Sequence, residues 1–541
     1  MLGLMGKIWF NRAVLQTWFV CGIFTVFSGQ GIAAEKVTIF SDWQSSPVEF
    51  SKTPYSSRVD CGSLKSWSVE PAQILLAKTV SEADGFPEYC DVLGHIQSTI
   101  KFRLFMPIHW NGRFFMVGNG GLAGDDLLRP GYPQHLNKMK AAIRLGFATV
   151  MTDSGHSDSE QPGGSFAYNN FSSEIDFAFR ATHVVSVAAK LLIQAFYDRS
   201  PAYSYFDGCS GGGRQGLMSV QRYPDDFNGV VSGSPAFDWT ALTMSWLLVN
   251  PILESAKISL KQVKTLGDIV TNTCDGRDGL KDGLIENPLA CAVDFEKLLP
   301  VCKKVDKDGQ CFTPAQVQAI ARLHADTFVK GVRIQPGFPP SSDLSKANAW
   351  DTWLPSADKH DGGAGQFIAQ EVLRYIAFDR DDPTREIADF DAERDMGNFG
   401  LAMRMLDAKD TDIQQFQRAG NKLLMYMGWE DLAFSPKALV EYYETLIQTM
   451  GENTDDFARL FMAPGMYHCF GGPGPNRFDY MTPLVTWVEK DIAPETIIAH
   501  QYSEGKAVRT HPLCPWPKVA KYKGRGLAEE ASSFACVAPL F

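Results

Sequence analysis

Past residue 34 the chain has no hydrophobic run long enough to cross a bilayer. It has no internal repeat and no low-complexity tract, which excludes repeat architectures. Positive charge is scarce: 51 Lys and Arg stand against 62 Asp and Glu, a formal net charge of −11. That balance argues against nucleic acid as a partner and gives no reason to expect binding to an anionic membrane surface. What is present is ordinary for a globular protein, 45% hydrophobic and 21% charged. At 541 residues, the chain can build two or more domains, or one domain with a large insertion.

The first residues read as a targeting segment. Lys7 and Arg12 supply a positive start, Ala13 to Ser28 is mostly apolar, and Gly31-Ile32-Ala33-Ala34 offers small residues for cleavage. A signal peptide over residues 1–34, cut near Ala33 or Ala34, predicts a secreted or periplasmic protein. Of eleven cysteines, Cys21 lies in that segment and ten follow it. An even set in an exported chain implies disulfides. Their clustering suggests Cys61–Cys90, Cys274–Cys291, Cys302–Cys311 and Cys514–Cys536, which leaves Cys209 and Cys469 far apart in sequence.

The stretch that organises the chain is Gly208-Cys209-Ser210-Gly211-Gly212, a G-x-S-x-G pattern between an aromatic-rich strand at 202–207 and a helix at 216–222. On a sharp strand-to-helix turn, small neighbours let the two backbones pass. The serine Oγ is then pushed above the sheet, and the next N–H lies where an oxyanion would form. Before it, strands at 100–107, 113–117 and 148–152 and helices at 136–145 and 176–197 alternate; strands at 229–232, 422–427 and 459–462 follow. That alternation predicts a mainly parallel α/β sheet with helices on both faces. The strand at 113–117 runs into Gly118-Asn119-Gly120-Gly121-Leu122-Ala123-Gly124, the loop that supplies the second oxyanion donor in such a fold. Residues 35–101 read as short strands and loops, and the tail 509–536 as loop-rich.

The alternation stops after Phe237 and resumes near residue 413. The predicted organisation is therefore catalytic segments 35–236 and 413–541 with an inserted lid, 237–412, of helices at 259–273, 314–330 and 366–378. The lid carries Trp239, Trp246, Trp350 and Trp353, candidates either for a pocket shared with the catalytic part or for the lid's own core.

A serine hydroxyl needs a base, and the base needs a carboxylate to fix its tautomer. In an α/β-hydrolase the chain order is Ser, acid, His, each on a loop after a strand. Ser210, Asp431 and His468 satisfy both conditions, with Glu430 as the other candidate acid. His156 also follows a strand but precedes the serine. Cys209 precedes the nucleophile and Cys469 follows the base. A serine and histidine close enough for proton transfer would bring these cysteines within disulfide reach. A second site is the loop 274–284: Asp275, Asp278 and Asp282 with the carbonyls of Leu280 and Leu284 form an oxygen-rich set suited to Ca2+.

Several motifs together resemble the tannase and feruloyl esterase family, which also holds bacterial esterases that cleave mono(2-hydroxyethyl) terephthalate. They are Gly208-Cys209-Ser210-Gly211-Gly212-Gly213-Arg214, Gly428-Trp429-Glu430-Asp431, Pro464-Gly465-Met466-Tyr467-His468-Cys469, Arg509-Thr510-His511-Pro512-Leu513-Cys514-Pro515 and the aspartate-rich loop. The resemblance implies an α/β-hydrolase fold and a Ser–Asp–His triad with a disulfide joining the neighbouring cysteines. It also implies a specificity-setting lid holding a structural calcium, and oxyanion donors at Gly211 and at Gly121 or Gly120. The expected protein is a serine carboxylesterase for small aromatic esters with no organic cofactor. The alternatives are a non-catalytic, calcium-stabilised binding protein and a peptidase.

Overall fold

Nine strands form the central sheet: β1 (Ala72–Val80), β2 (Tyr89–Ile96), β3 (Ile100–Pro107), β4 (Arg113–Val117), β5 (Ala148–Thr152), β6 (Tyr203–Cys209), β7 (Gly229–Gly233), β8 (Lys422–Gly428) and β9 (Ala458–Ala463). Their spatial order is β9-β8-β7-β6-β4-β5-β3-β2-β1. Pairing is parallel from β9 to β5 and antiparallel from β5 to β1. The computed structural model describes residues 38–67, 72–83, 85–97, 99–127, 133–303, 308–346, 349–359 and 362–539. The expected signal peptide lies outside them.

The parallel strands are apolar on both faces because both are covered. Every residue of β4 is buried, and successive side chains enter different cores. Phe114 and Met116 pack with Phe206, Val230 and Met425, whereas Phe115 and Val117 pack with Tyr205, Val231 and Leu424. The first core is closed by helices α2 (Ala181–Tyr197), α3 (Gly211–Arg222) and α8 (Pro436–Met450), the second by α1 (Pro133–Arg144) and α9 (Met481–Lys490). This three-layer arrangement is the α/β-hydrolase fold expected from the sequence.

Residues 234–421 add no described strand to that sheet. They carry α4 (Trp239–Ala256), α5 (Leu260–Cys274), α6 (Pro314–His324), α7 (Gly363–Tyr375) and a small hairpin, Thr327–Val329 with Val332–Gln335. Capping boxes set two of the helix starts: Ser259 with Gln262, and Thr313 with Gln316. The insertion's core of Leu253, Val263, Ile320 and Trp350 also includes Leu432 and Tyr467, from the loops after β8 and β9. The insertion thus packs directly on the ends of the strands that carry Asp431 and His468.

Two regions are more regular than the sequence suggests. β1 and β2 are full strands of the main sheet, obscured by the polar outer face of β1 and by Asp91, Gly94 and His95 in β2. Arg103 on the neighbouring strand binds both oxygens of Asp91, at 3.0 and 2.9 Å. Gly94 is required because a Cβ there would come within 2.6 Å of the Phe102 ring. In the tail, Arg477–Phe478, β10 (Ile497–Ser503) and β11 (Lys506–Leu513) form an antiparallel sheet, followed by the hairpin Val519–Tyr522 with Phe534–Val537.

Candidate active site

Ser210 occupies the turn between β6 and α3 with φ 64° and ψ −124°, a conformation that costs an L-residue about 1–3 kcal/mol and persists only when its surroundings enforce it. Here they do. The Ser210 N–H donates to the Gly233 carbonyl at 3.0 Å, and the Ser210 carbonyl accepts from the N–H groups of Arg214 (3.1 Å) and Ala236 (3.2 Å). A Cβ on Gly208 would overlap the Gly212 carbonyl, and one on Gly213 the Gly233 carbonyl. These contacts explain why α3 begins at Gly211 rather than at residue 216. Burial against β6 and β7 overrides the poor helix propensity of three glycines.

His468 and Asp431 lie on the loops after β9 and β8. His468 Nδ1 is 2.7 Å from Asp431 Oδ2, and both side chains are buried. The N–H groups of Ala433 (2.8 Å) and Phe434 (3.1 Å) donate to Asp431 Oδ1 and fix the carboxylate. With Nδ1–H donating to the carboxylate, the neutral ring presents Nε2 as its acceptor. Glu430 points elsewhere. Its oxygens accept from Ser342 Oγ (2.9 Å) and the Gly465 N–H (2.6 Å), and burial pushes its carboxyl up to about 7. His156 stacks on Phe166 with centroids 3.9 Å apart beside Gly124, and burial pushes its imidazole down to about 4.

All five disulfides expected from the sequence are present. Cys209 and Cys469 are bonded with Cα atoms 6.0 Å apart, which sets the neighbours of Ser210 and His468 side by side. The glycine loop after β4 lies on the same turn. A Cβ on Gly211 would be 3.2 Å from the Gly121 carbonyl oxygen, and one on Gly120 3.8 Å from the Ser210 Cβ.

Two aromatic rings meet the imidazole edge-to-face: Trp353 at 4.7 Å and Phe434 at 4.8 Å between centroids. Trp246 on α4 stands 6.2 Å from Phe434. Of the four tryptophans singled out in the sequence, Trp246 and Trp353 thus belong to this cluster. Trp350 is buried in the insertion, its indole N–H donating to the Pro355 carbonyl. Trp239 packs on Phe177 and Arg214. Phe434 carries no motif of its own in the sequence; its local signal is its place three residues after Asp431.

A family model for tannase and feruloyl esterase matches residues 85–537. The chain belongs to the tannase and feruloyl esterase family. It is 32% identical to mono(2-hydroxyethyl) terephthalate hydrolase of Piscinibacter sakaiensis over 530 residues, covering 86% of this chain and 87% of that protein. Its structure matches the crystal structure of feruloyl esterase B from Aspergillus oryzae with a TM-score of 0.77 at 28% identity, over 88% of this chain and 99% of that one. A further esterase structure from Aspergillus oryzae matches equally well, at 27% identity. As a tannase and feruloyl esterase family member with an α/β-hydrolase fold, the chain is a carboxylic ester hydrolase.

In this family member the aspartate-rich loop forms a separate acidic corner. Asp275 accepts from the N–H groups of Asp282 (3.3 Å) and Gly283 (3.1 Å), and Asp278 from that of Leu280 (2.9 Å). Burial, then the carboxylates of Glu286, Asp282 and Asp275, push Asp278 up to about 7. Arg509 and His511 on β11 face the corner: Arg509 donates to the Asp282 carbonyl at 3.0 Å, and His511 Nε2 lies 2.9 Å from Glu286. Mutually repelling carboxylates on a disulfide-closed loop are donor chemistry that suits a hard cation. The carboxylates instead engage loop amides, and among the described residues no three acidic, His or Cys side chains converge as a ligand group.

Proposed function

We propose that this chain is an exported serine esterase that hydrolyses small aromatic esters through Ser210, His468 and Asp431. The observation that supports the reading is the Cys209–Cys469 bond, which joins the residue before the strained elbow serine to the residue after the histidine that Asp431 holds at 2.7 Å.

In this mechanism Ser210 Oγ attacks the ester carbonyl while His468 Nε2 takes its proton. Asp431 keeps the ring in the reactive tautomer and stabilises the imidazolium. The N–H groups of Gly211 and Gly121 hold the oxyanion of the tetrahedral intermediate. Collapse breaks the ester C–O bond, and His468 returns the proton to the leaving alkoxide. Water, deprotonated by His468, then attacks the acyl-enzyme and releases the acid and Ser210.

The names of the relatives, a feruloyl esterase and a terephthalate monoester hydrolase, support an aromatic acyl group. So does the flanking of His468 by Trp353 and Phe434, faces on which an aromatic ring can pack. Export is supported by five disulfides, and among the described residues no helix is long and apolar enough to cross a membrane. Calcium binding by Asp275, Asp278 and Asp282 with the carbonyls of Leu280 and Leu284 would require these carboxylates to turn from the loop amides onto the ion, and would then neutralise the acidic corner.

A serine-directed fluorophosphonate tests the triad. Stoichiometric labelling at Ser210, abolished in Ser210→Ala, is expected. Folded protein that is not labelled would point to the binding-protein alternative.

A further inference from the structure

Three loops that meet behind the proposed oxyanion site are tied together by side chains buried to at least 96%: Asn119 in the glycine loop, Gln215 on α3 and Ser154 after β5. The Asn119 N–H donates to Gln215 Oε1 at 3.1 Å, and Gln215 Nε2 donates back to Asn119 Oδ1 at 2.7 Å. Ser154 Oγ donates to the same Asn119 Oδ1 at 2.9 Å and accepts from Gln215 Nε2 at 3.3 Å. Asn119 Nδ2 completes the set on the Thr152 carbonyl at 2.9 Å. Ser154 holds φ 65°, off the usual backbone regions for a side-chain-bearing residue, and its hydroxyl lies within the network.

The network's place in the fold gives it a consequence for catalysis. Gln215 lies one helical turn beyond Gly211, and Asn119 two residues before Gly121. Between them the backbones touch through glycine: a Cβ on Gly212 would be 3.1 Å from the Gly118 carbonyl carbon. No side chain interlocks the glycine loop and the elbow helix there; the loop's start is tied only to β6, where the Gly118 N–H donates to the Asp207 carbonyl at 2.9 Å. The Gln215–Asn119 pair ties the next residue of the loop to the helix through two antiparallel hydrogen bonds.

We infer that Gln215, through Asn119 and Ser154, is a positioning residue that fixes the glycine loop against the elbow helix, and so sets the spacing of the two oxyanion donors. This rests on the proposed roles of Gly211 and Gly121. Preorganised donors act chiefly in the transition state, so their displacement lowers kcat and leaves KM nearly unchanged.

The test is steady-state kinetics of Gln215→Leu, Gln215→Glu and Ser154→Ala on a methyl hydroxycinnamate, per active site titrated with fluorophosphonate, with thermal unfolding in parallel. Gln215→Leu is expected to lose roughly 10- to 100-fold in kcat, up to the loss of one whole donor, with KM within about twofold of wild type. Ser154→Ala is expected to show a smaller loss of the same kind. Gln215→Glu carries the distinguishing signature. A protonated carboxyl can both donate and accept as the amide does, whereas a carboxylate only accepts. Its kcat should therefore follow wild type at low pH and gain a descending limb as the buried carboxyl ionises. A merely structural role would change Tm but not this profile. The inference is overturned if kcat per site in the Leu variant is within twofold of wild type, or if the Glu variant's profile parallels wild type. Wild-type turnover in a Ser210→Ala control would instead overturn the catalytic reading itself, and this inference with it.

Discussion

Cys209 and Cys469 are covalently joined across 260 positions of sequence, and each is the immediate neighbour of a residue proposed to react, Ser210 and His468. The bond therefore does two things: it closes a very long loop, and it fixes how far apart nucleophile and base can drift. Removing a native disulfide costs about 2–5 kcal/mol, and misplacing reacting groups by about 1 Å can cost about a hundredfold in rate. The double variant Cys209→Ser/Cys469→Ser should lose both Tm and kcat, the latter roughly 10- to 100-fold. An unchanged kcat with a lowered Tm would make the bond purely structural.

Asp431 and Glu430 are adjacent carboxylates with opposite predicted behaviour. Asp431→Asn keeps the shape but favours the wrong histidine tautomer, so kcat should fall by roughly 10^4. Glu430→Gln should stay near wild type in kcat, because its bonds go to Ser342 and Gly465. Its effect is on stability. The folded-state value of about 7 lies above the ordinary 4.5. Burial thus favours the protonated form, and the wild type loses stability as pH rises from about 4.5 to about 7. The glutamine cannot ionise, so the Tm difference, variant minus wild type, should grow across that window and level off above it. A constant difference from pH 4 to 8 would contradict the assignment.

The aromatic flank of the histidine should select the acyl group. Trp353→Ala is expected to raise KM for an aromatic ester at least about fivefold, the scale of one aromatic contact, about 1 kcal/mol. KM for a short aliphatic ester should change little. Equal losses on both would assign Trp353 to holding His468 rather than the substrate.

How much of this was legible in sequence follows from how local each feature is. Ser210 is announced by the glycines its turn requires, and Asp431 and His468 by chain order after strands. Four cysteine pairs follow from their spacing, and Cys209–Cys469 from their places beside Ser210 and His468. Those signals are covalent or confined to a few residues. Trp353 and Phe434 meet at His468 only because the insertion folds back onto the loops after β8 and β9, a contact with no sequence period. The Asn119–Gln215 pair was likewise unreadable: each residue is an ordinary polar position until the glycine loop and α3 are brought face to face. β1 and β2 read only as short strands and loops in the sequence because an edge strand with a wet face, and a strand carrying Asp91 and Gly94, lack a clear apolar alternation.

The acidic corner predicts a metal-dependent Tm. If the corner binds calcium as proposed, EGTA should lower Tm by several degrees, and added Ca2+ should restore it. Asp278→Asn should abolish most of that response. No calcium by elemental analysis of the purified protein, with a Tm indifferent to chelator, would contradict the assignment.

The central claim is that Ser210 is the nucleophile of an aromatic esterase. It is tested most directly by hydrolysis of methyl gallate, methyl ferulate and mono(2-hydroxyethyl) terephthalate by wild type and by Ser210→Ala, with folding verified by circular dichroism. The account predicts that wild type cleaves at least one of the three and that folded Ser210→Ala loses at least about 10^3-fold in kcat. Turnover by folded Ser210→Ala at the wild-type rate would contradict it.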